Sequence, residues 1–281
     1  MPTKTKIVLV ARNCDSSAIV YNYLHQSISF EAVIVEKTFS KKKQLEKRIK
    51  RLGFWRAAGQ AAFMLMIYPL LKIFSQKRKK EIIDNYQLDV GPLPAEIFRE
   101  VNSLNSEESR KLLQTINPDL VIVNGTRIIS KKTLECITAP FINIHVGITP
   151  LFRGVHGGYW AMASGKKDLF GVTIHYVDAG VDTGGIIEQV LVNPLSKDNF
   201  YTYPYLKYGA TMPVLKKIVE KFMSGEKPPI KNSLVKESAL WYHPTIFQWL
   251  KNIKRTFLFL FISVSADFFS DLFCKNLCPA F

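Results

Sequence analysis

Apolar residues in this chain fall into short β-branched blocks separated by stretches of helical periodicity. Lys6–Ala11 is such a block and predicts a buried strand. Asp15 or Ser16 can cap the helix predicted over Ser17–His25. Ala32–Val35 predicts a second strand. Leu120–Val123 predicts a third, after a helix that ends near the turn Asn117-Pro118-Asp119. Phe141–His145 is the fourth. Val172–Val177 and Ile186–Val192 are further strands, joined by the Gly/Asp-rich loop Asp178–Gly185. Tyr203–Met223 is amphipathic and stops at Gly225, a helix with a glycine end. Strands alternating with helices predict an α/β sheet flanked by helices, with chemistry at the carboxyl ends of strands. His145 stands at one such end. Residues 1–225 read as the main domain and residues 226–281 as a C-terminal extension with an apolar helical tail.

One stretch breaks this pattern. Lys41–Lys80 reads as an insert of two helical pieces, a basic one and then Phe54–Phe74, which is almost wholly apolar over Ala61–Leu71. Pro69 is expected to kink or end the second piece. Its uninterrupted apolar run falls short of the ~20 residues that span a bilayer. The tail repeats the theme with Lys251, Lys254 and Arg255 before Phe257–Ile262, and Asp267 and Asp271 interrupt it.

Charge changes meaning once it is located. The chain has 281 residues and a formal net charge of +15, which by itself suggests nucleic acid. Residues 41–80 hold 13 Lys/Arg against one acid, Glu46, and so account for +12. The rest is nearly neutral, whereas a nucleic-acid surface would spread along a face of the fold. A basic stretch, an apolar helix and a second basic run (Lys77–Lys80) form the pattern of an interfacial anchor on anionic membrane. The alternative is that Phe54–Phe74 packs on the core or on a second subunit, so a homodimer stays open. No nucleic-acid partner is expected. A hydrophobic content of 47% excludes a disordered chain. Cys14, Cys136, Cys274 and Cys278 are too scattered for a disulfide framework and complete no zinc site, so free thiols and no metal are expected. The short apolar run Ile7–Ala11 does not make a signal peptide, and a cytoplasmic protein, at most peripheral at the inner membrane face, is expected.

The candidate chemistry lies in three consecutive segments. Phe141–His145 places an amide (Asn143) and an imidazole (His145) at a strand end. Thr149-Pro-Leu-Phe-Arg-Gly154 follows. Gly171-Val-Thr-Ile-His-Tyr-Val-Asp-Ala-Gly-Val-Asp-Thr-Gly184 then runs a strand into a loop that carries Asp178 and Asp182. An amide and an imidazole can stabilise a developing oxyanion, and imidazole with carboxylate can manage protons. Together they suit the transfer of an acyl group to an amine.

The order Asn-x-His, Pro-x-x-Arg-Gly, Gly-x-Thr-x-His and Asp-x-Gly resembles the folate-dependent formyltransferase family, which includes glycinamide ribonucleotide, methionyl-tRNA and sugar N-formyltransferases. The resemblance is strong from Asn117 to Gln189, general for the first strand and helix, and absent for residues 41–80 and roughly the last forty. It implies a Rossmann-like sheet, 10-formyltetrahydrofolate as formyl donor and a small-molecule primary amine as acceptor. It further implies that Asn143 donates to the oxyanion, that His145 stabilises it as imidazolium, and that Asp182 tunes His145 and relays the proton. The segment Arg127-Ile128-Ile129 and the loop bearing Asp178 and Val181 correspond to the folate contacts. Asp178 otherwise reads as a turn residue, and mid-strand His175 as packing or a structural hydrogen bond.

Two departures bear on the acceptor. Gly147 stands where the family often has serine, and the turn Arg12-Asn-Cys-Asp-Ser-Ser17 has no glycine to cradle a phosphate. Glycinamide ribonucleotide therefore fits poorly. No barrel of many short strands is evident after Gln189, which disfavours methionyl-tRNA. An amino sugar, nucleotide-linked, is the acceptor expected by elimination, and Tyr201, Tyr203 and Tyr205 could stack on it or belong to the core. A hydrolase that passes the formyl group to water, a glycinamide-ribonucleotide-like activity, and a membrane-surface interaction protein are the competing readings.

Overall fold

The computed structural model describes residues 5–37 and 41–256. The apolar run Phe257–Ile262 and the cysteines Cys274 and Cys278 lie outside them.

Alternating β-branched residues build a sheet covered on both faces. Strands β1 (Ile7–Ala11), β2 (Phe30–Glu36), β3 (Phe98–Val101), β4 (Leu120–Asn124) and β5 (Phe141–His145) pair in parallel, in the order β3-β2-β1-β4-β5. The two-residue β6 (Arg153–Gly154) stands apart from this sheet. Strands β7 (Gly171–Tyr176) and β8 (Ile186–Leu191) extend the sheet in antiparallel sense beyond β5. Leu9, Val33, Ile122 and Ile144 enter one core layer, and Val8, Ile34, Val121 and Phe141 enter the other. This period of two, apolar on both faces, is what a doubly covered parallel sheet requires.

Helix α1 (Asp15–His25) starts two residues earlier than its sequence suggests. Cys14 is its N-cap and makes no side-chain capping bond, so the caps expected at Asp15 and Ser16 are not used. After the insert come α6 (Glu107–Ile116), α7 (Lys131–Leu134), α8 (Gly157–Ala163), α9 (Tyr203–Met223) and α10 (Ile246–Thr256). Asn117 ends α6 in the left-handed conformation, which an Asn tolerates.

The insert is all helix: α2 (Lys41–Leu52), α3 (Phe54–Ala62), a π-helical turn over Phe63–Ile67, α4 (Tyr68–Phe74) and α5 (Gln76–Asn85). Gly53, at φ +81°, breaks α2 from α3. Pro69 neither ends nor interrupts the helix. It falls in the first turn of α4, directly after the π turn, whose wider hydrogen bonding absorbs the missing N–H. Phe54–Phe74 is therefore one helical run of 21 residues, longer than its central apolar block. One of its faces packs on the domain. Phe63 is wholly buried, edge-on to Phe200 at 4.9 Å. Gln60 donates to the His243 carbonyl at 2.7 Å. On α5, Arg78 holds the buried Asp198 with bonds of 2.7 and 3.1 Å.

Residues 226–256 lie against the same fold. Strand β9 (Leu240–Trp241) pairs in parallel with β6. Helix α10 packs against α3 and α8. The C-terminal extension thus backs the loop that follows β5.

Candidate active site

The end of β5 gathers the polar groups singled out in the sequence. Strand alternation turns Asn143 and His145 to one face of the sheet. The antiparallel register sets His175 of β7 opposite Asn143, and Thr173 opposite His145. Asp182 reaches the same place from the loop after β7. Its backbone is left-handed, φ +51°, a strained conformation for a residue other than glycine. The Asn143 amide Nδ2 lies 3.5 Å from Asp182 Oδ1, and His145 Nδ1 lies 3.4 Å from Asp182 Oδ2. The structure therefore brings Asn143, His145 and Asp182 together.

The loop after β5 holds the carboxylate. Gly154 N–H donates to Asp182 Oδ2 at 2.8 Å, and Arg153 Nη1 donates to the Val181 carbonyl at 3.4 Å. Gly154 adopts φ +93°, and a Cβ there would meet the Trp241 carbonyl at 2.3 Å. Glycine is thus required for β6 to lie against β9. Trp241 closes the back of the loop by donating its indole N–H to the Leu151 carbonyl at 2.8 Å.

Hydrogen bonding fixes both tautomers. The Phe152 carbonyl lies 2.7 Å from His145 Nε2 and can only accept, so Nε2 carries hydrogen and Nδ1, facing Asp182, is the nitrogen that titrates. The Tyr176 carbonyl likewise takes the His175 Nδ1 hydrogen at 2.7 Å. His175 Nε2 then accepts from Asn143 Nδ2 at 3.1 Å, which orients the amide. His175 does more than pack. Its role follows from pairing the alternation of two strands, which the isolated motif does not reveal.

Gly147 has a packing reason. A Cβ there would stand 2.5 Å from the Phe152 carbonyl and 2.8 Å from His145 Nε2, in the space their hydrogen bond uses. Buried Lys207 of α9 donates to the Val146 carbonyl at 2.7 Å, and burial lowers its ammonium to about 7. His156, at φ +59°, meets His243 with 2.9 Å between ring nitrogens. Burial pushes both imidazoles down, His243 to about 4.

The electrostatics revise one expectation. Burial lowers His145 below the ordinary imidazole value, and Asp182 only partly offsets it, so the resting imidazole is neutral rather than cationic. Burial also opposes ionisation of Asp182, but His145, His175 and the Gly154 N–H together hold its carboxyl below the usual range.

The residues matched to folate contacts divide. Arg127 is tied down by Glu36 at 2.5 Å and by the Asn102 carbonyl at 2.7 Å, and Ile129 is buried in the core. Asp178 is a turn residue that accepts from the Gly180 N–H and the Thr183 hydroxyl. Ile128 is 55% exposed, and Val181 is half-buried beside Asp182. An open apolar side chain and the polar loop that reaches Asn143 through Asp182 offer groups that fit a flat heterocycle with hydrogen-bonding edges. Tyr201, Tyr203 and Tyr205 belong to the core, although Tyr201 and Tyr205 also border a cavity of about 460 Å³. That cavity lies at the start of α1 beside Asp15, Lys72 and Lys79, and does not include Asn143, His145 or Asp182. Among the described residues no cluster of His, Cys, Asp and Glu is arranged to hold a metal ion.

The formyl transferase family profile matches residues 4–203. A methionyl-tRNA formyltransferase of Koribacter versatilis is 40% identical over 86 residues, which are 30% of this chain and 27% of that protein. A phosphoribosylglycinamide formyltransferase of Mycobacterium tuberculosis is 41% identical over 83 residues, 29% of this chain and 38% of that protein. These matches span well under half the length of either relative. A solved sugar N-formyltransferase from a Shewanella species superposes with a TM-score of 0.55 over 89% of this chain and 87% of its own. At 14% identity that likeness speaks for the fold.

Proposed function

The chain belongs to the formyl transferase family, and we propose that it moves a formyl group from 10-formyltetrahydrofolate to the primary amine of an amino sugar. The observation that carries this reading is the convergence of Asn143 and His145 on Asp182, within 3.4–3.5 Å.

Bound 10-formyltetrahydrofolate would supply the formyl carbon that the acceptor amine attacks. Asn143, held by His175, would turn the amide hydrogen that it directs at Asp182 Oδ1 over 3.5 Å to the formyl oxygen as negative charge gathers there; such a donor contributes roughly 10²–10³ in rate. Neutral His145 would receive the amine's proton at Nδ1, where ionised Asp182 stabilises the resulting imidazolium. The same nitrogen then returns the proton to the departing folate nitrogen. The Arg153-Gly154 loop keeps the carboxylate in place through these steps.

Two features support this choice of acceptor. The turn after β1 offers no glycine cradle, and its Asp15 is paired with Lys79 at 2.8 Å and Tyr205 at 2.5 Å, which disfavours a phosphate there. Among the described residues, the chain beyond β8 forms α9, α10 and a two-residue strand, with α10 packed on α3 and α8 of the same fold. An acceptor screen tests the choice. Purified protein and 10-formyltetrahydrofolate are offered amino-sugar nucleotides, glycinamide ribonucleotide, charged initiator tRNA or water alone, and folate release is followed by absorbance. Release dependent on an amino sugar is expected. Comparable rates with either of the other acceptors, or with water, would overturn it.

A further inference from the structure

The helix from Phe54 to Phe74 has two apolar faces, and the fold covers one. Ala57, Phe63 and Leu71 are buried against the domain. On the open side Trp55 is 85% exposed, Leu65 77%, Met66 60% and Ile73 64%. A surface helix ordinarily turns polar groups to solvent, and a contiguous exposed apolar ridge marks an interaction site. Helix α10, packed against α3, adds Phe247 at 75% exposure. Lys251 and Lys254 follow Phe247 on the same helix face.

Charge decides what covers the ridge. No Asp or Glu occurs between Glu46 and Glu81. Exposed Lys50 and Arg51 flank one end, and exposed Lys72 and Lys77 the other. A second copy meeting this face would set two basic flanks against each other. A surface with anionic headgroups over an apolar interior complements both features, because aromatic and aliphatic groups enter the acyl boundary while Lys and Arg meet phosphates.

We propose that this ridge docks the protein in the plane of an anionic lipid bilayer interface. By length and composition alone, a helical run of 21 residues that holds an 18-residue window of mean hydropathy 1.5 suffices to cross a bilayer. Crossing would strip Phe63 from Phe200 and Trp249, and Gln60 from the His243 carbonyl. Lying in the plane keeps those contacts and immerses the open face only. The same helix borders the cavity at the start of α1 through Tyr68 and Lys72, so docking brings that cavity to the lipid surface. The docking stands independently of the formyl-transfer reading.

The test mixes the full chain with vesicles of phosphatidylglycerol and phosphatidylcholine, or of phosphatidylcholine alone, and reads the bound fraction by co-sedimentation. Binding to the anionic vesicles at low salt, weakened at high salt, is expected. Leu65→Glu combined with Leu70→Glu lowers binding at least about tenfold, with an unchanged thermal midpoint because both side chains are exposed. Lys50→Glu with Lys77→Glu touches no apolar contact and weakens the salt-sensitive part. Absence of binding at low salt, or equal binding to both vesicle types, overturns the proposal. Retention after alkaline extraction overturns it in favour of a spanning helix. A dimer seen by light scattering and abolished by Leu65→Glu overturns it in favour of a second copy on the ridge.

Discussion

The polar cluster at the end of β5 and the helix Phe54–Phe74 depart from folding economy in opposite directions. The cluster buries polar groups: His145 and His175 are 5% and 3% exposed, and each is held by a backbone carbonyl. The helix leaves apolar groups open, with Trp55 and Leu65 more than three-quarters exposed. Burying imidazoles costs desolvation free energy, and exposing aromatic and aliphatic side chains forgoes hydrophobic stabilisation. Sites that break local rules are where function is expected. On the readings proposed above, the polar cluster would serve a reacting atom and the open face of the helix a surface. Within the helix the contrast recurs between its covered and open faces.

The largest effect should come from the covered face. Phe63→Ala removes a fully buried ring and should cost about 3–5 kcal/mol of stability, read from chemical denaturation. A loss below about 1 kcal/mol would show that the helix is only loosely laid on the domain. In the polar cluster, Asn143→Ala should lower kcat about 10²–10³-fold, with little change in the thermal midpoint. A drop in stability with unchanged turnover would make the amide structural.

A pH experiment sharpens the account of buried polar groups. Lys207 titrates near 7 in the fold, against 10.5 for the free side chain. Between those values the unfolded chain binds the proton and the folded one does not, so stability rises with pH across that window. Relative to Lys207→Met, the wild type should gain roughly 1 kcal/mol per pH unit above neutrality, and the burial penalty should be complete below pH 7. A difference independent of pH would mean that Lys207 keeps its proton. The smallest effect belongs to the open face: Leu65→Ala, 77% exposed, should change stability within about 0.5 kcal/mol. A larger loss would mean that something already covers the ridge.

The strands are legible in the sequence because each central one is a β-branched block, whereas Asn143, His145 and Asp182 stand out only through the motif order that the chain shares with the formyltransferase family. β3 escapes such reading, since Phe98-Arg-Glu-Val101 offers two apolar residues at a half-exposed edge. The β6–β9 pair escapes it because two residues carry no periodicity, although it braces the loop that holds Asp182. His175 and Lys207 are invisible as site residues for a related reason, since their partners come from distant strands and helices. The insert shows a limit of hydropathy. A helix apolar all round does not reveal which face the domain covers, and Pro69 ends nothing when a π turn precedes it.

The central claim is that the groups gathered at Asp182 move the proton in formyl transfer. Its most direct test is the single-turnover rate of labelled formyl transfer to the best amine acceptor, for the wild type and Asp182→Asn side by side. The substitution keeps the shape and removes the charge that would stabilise protonated His145. The account predicts a fall of about 10²–10⁴-fold with an unchanged thermal midpoint to within a few degrees. A rate within a factor of about three of wild type, from a folded variant, would contradict it.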